Sequence, residues 1–390
     1  MAPPGSGTGT PVTGVSTPYE GIPFFSATWV WDNSAGAYIN NTNEARATAG
    51  TAFTIFDATA DYLYLGSQSR FDLAAFFLSV AGSVTGLTYQ YYDGTGWITF
   101  IPGVIADFMI SGASYVYDFT VDGAVPMDNL TNWTTLTFAA GTPHVAAPPD
   151  TLARYWVRIS VTGITTSPTV FQIRKRPYAA YCTPSDIANL LQLQSDFSST
   201  TTPTRNTIED YIAAAQSQID YRTQKSWRLN QKVEFQEFNM AGIKLQRRDA
   251  IKVTRLRIWD GAAFTDKVEG RQNDYFLVPD IGMVYFARYF LLPARMQSYN
   301  APVWLWGWAE FTYPVEITYL YGRNRFTDDE QGWLAFDLAR KMAAIDVFNS
   351  HDYSILTVSG TDKVSLERKI ENWRIEIDEK LDGLRGWVTM

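Results

Sequence analysis

The residues able to do covalent or metal chemistry are few. A catalytic dyad or a zinc site needs imidazoles or thiolates that converge, and this chain has two histidines, His144 and His351, and one cysteine, Cys182. His144 lies in a Pro-rich stretch with no ligand-type neighbour, and His351-Asp352 has no nucleophile motif beside it. Neither a Gly-x-Ser-x-Gly elbow nor a phosphate-cradling glycine loop occurs. Cys182 stands next to a helix start and suits a small buried hydrophobe. The carboxylate pair Asp328-Asp329 falls in a first helical turn, where acids stabilise the helix dipole. No acid/base pair of the kind a glycan-cleaving enzyme needs stands out. We therefore expect no catalytic residue, no cofactor and no metal, and do not expect an enzyme.

Binding chemistry has more material, because 13 Trp, 22 Tyr and 23 Phe are present. Trp304-Leu-Trp-Gly-Trp308 places three indoles on one side of an extended segment, suited to a tail contact, a ring interface, a core strand or sugar stacking. Tyr91, Tyr92 and Trp97 flank Asp93-Gly94 and form either a glycan contact at a sandwich rim or ordinary cross-strand pairs. Near the C-terminus, Trp387, Val388 and Met390 follow the last helix as a short apolar tail. They either anchor in a partner's groove or fold back on their own helix. Two basic stretches, Arg174-Lys-Arg176 and Arg222/Lys225/Arg228, offer charges for passing phosphates and equally for salt bridges at helix ends and domain junctions.

The elements that must position these residues fall into two units. At 390 residues the length suits two or three domains. The formal charge is −8, which argues against wholesale wrapping of nucleic acid. That charge is uneven. Residues 1–170 carry four basic residues (Arg46, Arg70, Arg154, Arg158) against twelve acidic ones, whereas the 28 basic and 28 acidic residues of the remainder cancel. The N-terminus lacks the basic and apolar regions of a signal peptide, and residues 1–19, rich in Pro, Gly and Thr, suit a flexible arm. No run approaches the ~18 apolar residues of a membrane helix, so no membrane partner is expected.

Residues 20–178 form the first expected domain, and from about 50 to 178 the hydrophobic period is two, as in Tyr155-Trp-Val-Arg-Ile-Ser-Val, whose Tyr155, Val157, Ile159 and Val161 share one face opposite Arg158 and Ser160. Such runs, broken by Gly, Asp and Pro, predict an antiparallel β-sandwich. From 179 to 390 helices are expected at about 183–193, 207–224, 328–348 and 364–385, with a β-rich insertion at about 230–322. Thr183-Pro-Ser-Asp186 and Thr327-Asp-Asp-Glu330 are helix starts. Leu334, Leu338, Met342 and Ile345 form one buried stripe; Leu366, Ile370, Trp373, Ile377, Leu381 and Leu384 form another. The fold class is thus multidomain α+β.

The stretches Tyr181-Cys-Thr-Pro-Ser-Asp-Ile-Ala-Asn-Leu-Leu191 and Ile208-Glu-Asp-Tyr-Ile-Ala-Ala-Ala-Gln-Ser-Gln-Ile-Asp-Tyr-Arg-Thr-Gln-Lys-Ser-Trp227, followed by Val315-Glu-Ile-Thr-Tyr-Leu-Tyr-Gly-Arg323 and an acid-capped helix, carry a resemblance. Over roughly 181–390 the chain resembles the head-to-tail adaptor (head completion or connector) proteins of tailed bacteriophages. The insertion of about ninety residues is larger than in the small all-helical adaptors, and the N-terminal sandwich lies outside the family pattern. The resemblance implies a homododecameric ring beneath the portal that extends the DNA channel and touches channel DNA transiently. Its partners would be the portal, met by Trp387, Val388 and Met390, and a tail or neck protein, met with the ring neighbours by Trp304, Trp306 and Trp308. Such a protein is assembled in the host cytoplasm and resides in the virion neck. The sandwich is similar to immunoglobulin-like or sugar-binding modules of virion proteins, and the alternative function is glycan recognition through Tyr91, Tyr92 and Trp97.

Overall fold

The computed structural model describes residues 24–46, 51–102, 105–106, 114–115, 117–127, 130, 132–138, 148–193, 195–237, 242–247, 249–259, 264–286, 315–322, 330–350 and 362–385. The first unit is an antiparallel sandwich. One sheet has six strands in the spatial order Ala37–Asn40, Ala27–Asp32, Tyr62–Ser67, Tyr155–Ser160, Thr88–Tyr92, Trp97–Phe100; the other has four, Gly123–Pro126, Phe71–Val80, Thr169–Pro177, Phe53–Thr54. Ile159 stands opposite Leu63 on one side and Tyr89 on the other, so one row of apolar side chains crosses three strands. With Phe71, Phe76, Val170 and Ile173 of the facing sheet, this row closes the core.

Strict alternation predicts a solvated face opposite that core. The structure departs from this. Trp156, on the outward face, is 0% exposed and clusters with Ala27, Trp31, Tyr64 and Phe138. Residues around Leu136 run across that face. Leu136 and Arg154 exchange two backbone hydrogen bonds of 2.8 and 3.0 Å, and the Trp156 indole donates to the Leu136 carbonyl at 3.2 Å. Rings this large are covered wherever chain is available to cover them.

In the second unit the Pro184–Leu190 helix starts with a capping box. The Thr183 hydroxyl accepts from the Asp186 N–H at 3.2 Å, while the Thr183 N–H donates to the Asp186 carboxylate at 2.8 Å. The Arg205–Thr223 helix begins two residues before the expected Thr207, because Thr204 accepts from the Thr207 N–H and caps that turn. Gln224, with φ 56°, ends it in the left-handed region. Ile208, Ile212, Ala215 and Ile219 pack on the Glu330–Ser350 helix, whose Ala335, Ala339 and Ala343 are buried beside Leu338 and allow close approach. The Asp362–Arg385 helix buries Trp373, Ile377, Leu381 and Leu384 in the same core.

Between these helices lie two antiparallel sheets. One has the order Asn230–Gln236, Val315–Tyr321, Ala250–Trp259, Phe264–Asp266, and the other Ile243–Lys244, Met283–Phe286, Tyr275–Val278. Val315, Ile317 and Tyr319 face the smaller sheet. Leu320, on the opposite face, joins Leu229 and meets Leu73, Ala75, Phe77 and Ala124 of the sandwich. The four-stranded sandwich sheet is therefore covered on both faces, and the two units share an apolar joint.

Candidate functional site

The aromatic trio of the first hairpin divides between two faces. Tyr91 is buried in the sandwich core, edge-on to Phe100 and Trp133. Tyr92 and Trp97 are cross-strand partners on the outward face, 5.3 Å apart and edge-to-face, and Phe138 packs on both. Arg158 lies over the Tyr62 ring at 4.8 Å and the Trp97 ring at 4.4 Å, and its Nε donates to the Gln90 amide oxygen at 2.7 Å. Asp93 builds the turn below them, its carboxylate accepting from the Thr95 and Gly96 N–H groups, which holds its pKa below the usual carboxylate value. The half-buried rings of this face pack on each other and on Phe138.

Trp304, Trp306 and Trp308, and likewise Trp387, Val388 and Met390, lie outside the described residues, as do His144, His351 and Asp328-Asp329. Cys182 is buried, and burial together with the nearby Asp186 pushes its thiol well above its ordinary pKa, away from nucleophilic service.

The basic side chains of both stretches are engaged within the chain, some buried and some, such as Arg222, at the surface. Lys175 is buried and donates to the Ser67 and Ser69 hydroxyls at 2.6 and 3.3 Å. Arg176 pairs with Asp72 at 2.5 Å, and Arg174 donates to Gln172 over the Phe77 ring. Arg222 bridges to Asp378 at 2.7 Å and Lys225 donates to Gln331. Arg228 anchors a buried network, its Nε 3.1 Å from the Asp220 carboxylate. That carboxylate also accepts from the Tyr181 and Ser226 hydroxyls, and the Trp227 N–H donates to the Tyr181 oxygen at 2.7 Å. Burial pushes the Asp220 carboxyl up while Arg228 pulls against it; burial and Asp220 push the Tyr181 phenol far up. The arrangement is a structural knot under the helices, closed to a passing phosphate.

Three carboxylates, of Asp32, Asp57 and Asp61, come within 4.8 Å of one another. They are the one such convergence of potential metal ligands among the described residues. Asp61 accepts from the Asn33, Asp57 and Ala58 N–H groups at 2.9 Å, and Asp32 from Ser34 and the Ala35 N–H. These bonds order two turns. A hydrogen bond to Asp61, with burial and the two neighbouring negative charges, pushes the Asp57 carboxyl to about 6.

The helical unit also exposes apolar side chains that the residue-type search passes over. Tyr221 is 73% exposed, Trp333 53% and Ile375 53%. Trp333 packs edge-on to Phe336, and Ile375 sits one turn before Asp378. Their signal was present in the sequence: Trp333 and Ile375 fall off the buried stripes of their own helices. No described helix is long and apolar enough to cross a membrane.

No family model matches the chain, and no curated protein matches it. Among solved structures, the chain is similar to one in the neck of an empty GTA particle computed with C6 symmetry, with 19% identity and a TM-score of 0.30, covering 50% of this chain and 90% of that one. A chain in the virion of a native gene transfer agent (GTA) particle is similar to the same extent, at 18% identity and a TM-score of 0.30, with 50% and 90% covered. A superposition at 0.30 fixes neither fold nor function for this chain.

Proposed function

We propose that the protein is a non-enzymatic structural component of a phage-type virion neck, a head-to-tail adaptor that forms a ring beneath the portal. One observation carries the reading. The residues that carry the adaptor-like pattern serve capping and packing: Thr183 and Asp186 form the cap, Ile208, Ile212 and Ile219 fill the helical core, and Tyr181, Asp220 and Trp227 tie the helix end to the segment that leads into the sheet. A pattern of this kind maintains a scaffold whose outer surface does the work, and the exposed Tyr221, Trp333 and Ile375 supply apolar surface for assembly. Trp387, Val388 and Met390 are the proposed portal anchor, and Trp304, Trp306 and Trp308 the proposed ring or tail contact. Contact with channel DNA would fall to basic residues other than those engaged above, such as Arg368 on the last helix, which is exposed. The glycan alternative has lost one of its three rings, since Tyr91 faces the core.

The test is binding to purified portal after removing the tail. Leu384 is 2% exposed and belongs to the core, so the truncation begins at Gly386. Loss of portal binding with unchanged thermal unfolding supports the anchor. Binding that survives the truncation and Trp387→Ala overturns it, and a monomer that binds glycans instead overturns the adaptor reading.

A further inference from the structure

The joint between the two units combines two kinds of contact with different directional properties. Its apolar part consists of Leu73, Ala75, Phe77 and Ala124 with Phe171 from the sandwich, and Leu229 and Leu320 with Ile251 from the second unit. Hydrophobic contact is non-directional, and such a patch between two sheet faces holds them together without choosing one angle between them.

The polar part sits at both ends of the Phe71–Val80 strand. At its start, Arg70 reaches out of the sandwich into the first turns of the Arg205–Thr223 helix. Its Nε lies 2.6 Å from the Glu209 carboxylate, its terminal nitrogen 3.2 Å from Asp210 and 3.1 Å from the Asn206 carbonyl, and its plane stacks 4.4 Å from the Tyr178 ring. Two residues on, Asp72 holds Arg176, which donates to the Asn230 amide oxygen across the joint. Toward the other end, the Asp122 carboxylate accepts from the Leu78 N–H at 2.7 Å and pairs with Lys252 of the second unit. Arg70 and Leu78, where Asp122 docks, are eight residues apart along the strand, on the order of 25 Å at ~3.3 Å per residue. Two directional contacts that far apart remove rotation about the interface normal, which one contact alone would leave.

We infer that these pairs are an orientation lock: the apolar cluster holds the units together, and the Arg70–Glu209/Asp210 and Asp122–Lys252 pairs set the angle at which the sandwich leaves the helical unit. The Arg70–Glu209 pair is largely buried and the Asp122–Lys252 pair is buried on its carboxylate side; such pairs are better suited to choosing an arrangement than to stabilising it, because desolvation and solvent screening offset most of their attraction. The sandwich is then a fixed arm whose outward face points in one direction in every copy. This inference stands independently of the neck reading.

Pulsed electron-paramagnetic distance measurement on the full chain tests it, with spin labels at Ala35→Cys and Asp382→Cys, both exposed, and the buried Cys182 left in place. The parent should give one narrow distance distribution. Arg70→Met with Lys252→Met should broaden it about twofold while circular dichroism stays native, whereas Leu73→Ala should lower the melting temperature and leave the width unchanged. If the double variant does not fold, Lys252→Met alone, at a partly exposed pair, should still broaden the distribution. A width unchanged by the polar substitutions, or broadened as much by Leu73→Ala, overturns the lock.

Discussion

The sandwich and the helical unit handle charge in opposite ways. In the sandwich, carboxylates build turns: Asp32, Asp61, Asp93, Asp118 and Asp150 each accept a backbone N–H within a few residues or across a turn. Its cations mostly stay within the sandwich. Arg46 donates to the Phe25 carbonyl, Arg154 pairs with Asp150, and Arg70 leaves to bind the neighbouring unit. In the helical unit, charges of both signs cross-link elements. Asp337, Lys341, Glu376 and Lys380 tie two helices, and Asp220 with Arg228 ties a helix to the bend that leads into the Asn230–Gln236 strand. Turn-building thus occupies at least five of the twelve acidic residues of 1–170, whereas the described charges of the helical unit largely meet partners of opposite sign.

The sharpest way to break this comparison is to remove a cross-link in the helical unit. Asp220→Ala leaves Arg228 buried without its carboxylate and should cost about 3–5 kcal/mol in urea unfolding; a loss near zero would mean that the network is ornamental. The two units also differ in packing. Ala339 is fully buried where helices approach closely, so Ala339→Leu should cost about 1–3 kcal/mol by overpacking, again read by urea unfolding. Local chemistry matters less: Thr183→Ala removes one hydroxyl of the capping box and should cost about 1 kcal/mol, visible as a lower melting temperature.

The smallest effect belongs to the sandwich turns. The Asp57 carboxyl is raised from 3.8 to about 6 in the folded protein, so folding favours its protonated form. That contribution is complete below about pH 4 and is lost as pH rises through about 6. Asp57→Asn should therefore make the protein more stable than the parent at pH 7, and flatten the fall in stability between those pH values in denaturant titrations. An unchanged pH profile would show that Asp57 does not share a proton with Asp61.

What could be read from the sequence is what is decided locally. The capping box at Thr183 is complete within four residues, and the stripe Leu338–Met342–Ile345 needs only the helical period. Period two marked Val157 and Ile159 as core, but the burial of Trp156 on the opposite face depends on Leu136 arriving from twenty residues away. Arg70 and Glu209 are 139 residues apart, and Asp32 meets Asp57 and Asp61 only through strand pairing. Such contacts leave no spacing to recognise. The candidate partner surfaces divide the same way: Trp333 and Ile375 are visible as departures from their own helical stripes, whereas the inward commitment of Lys175, Arg176 and Arg228 emerges only from the tertiary fold.

On the proposed function, this scaffold works by assembling into a ring. Native mass spectrometry of the full chain, with negative-stain imaging of the same sample, tests that most directly. The expected result is a closed ring, dodecameric on the adaptor resemblance, that also captures purified portal. A chain that stays monomeric at every concentration, with and without portal, would contradict it.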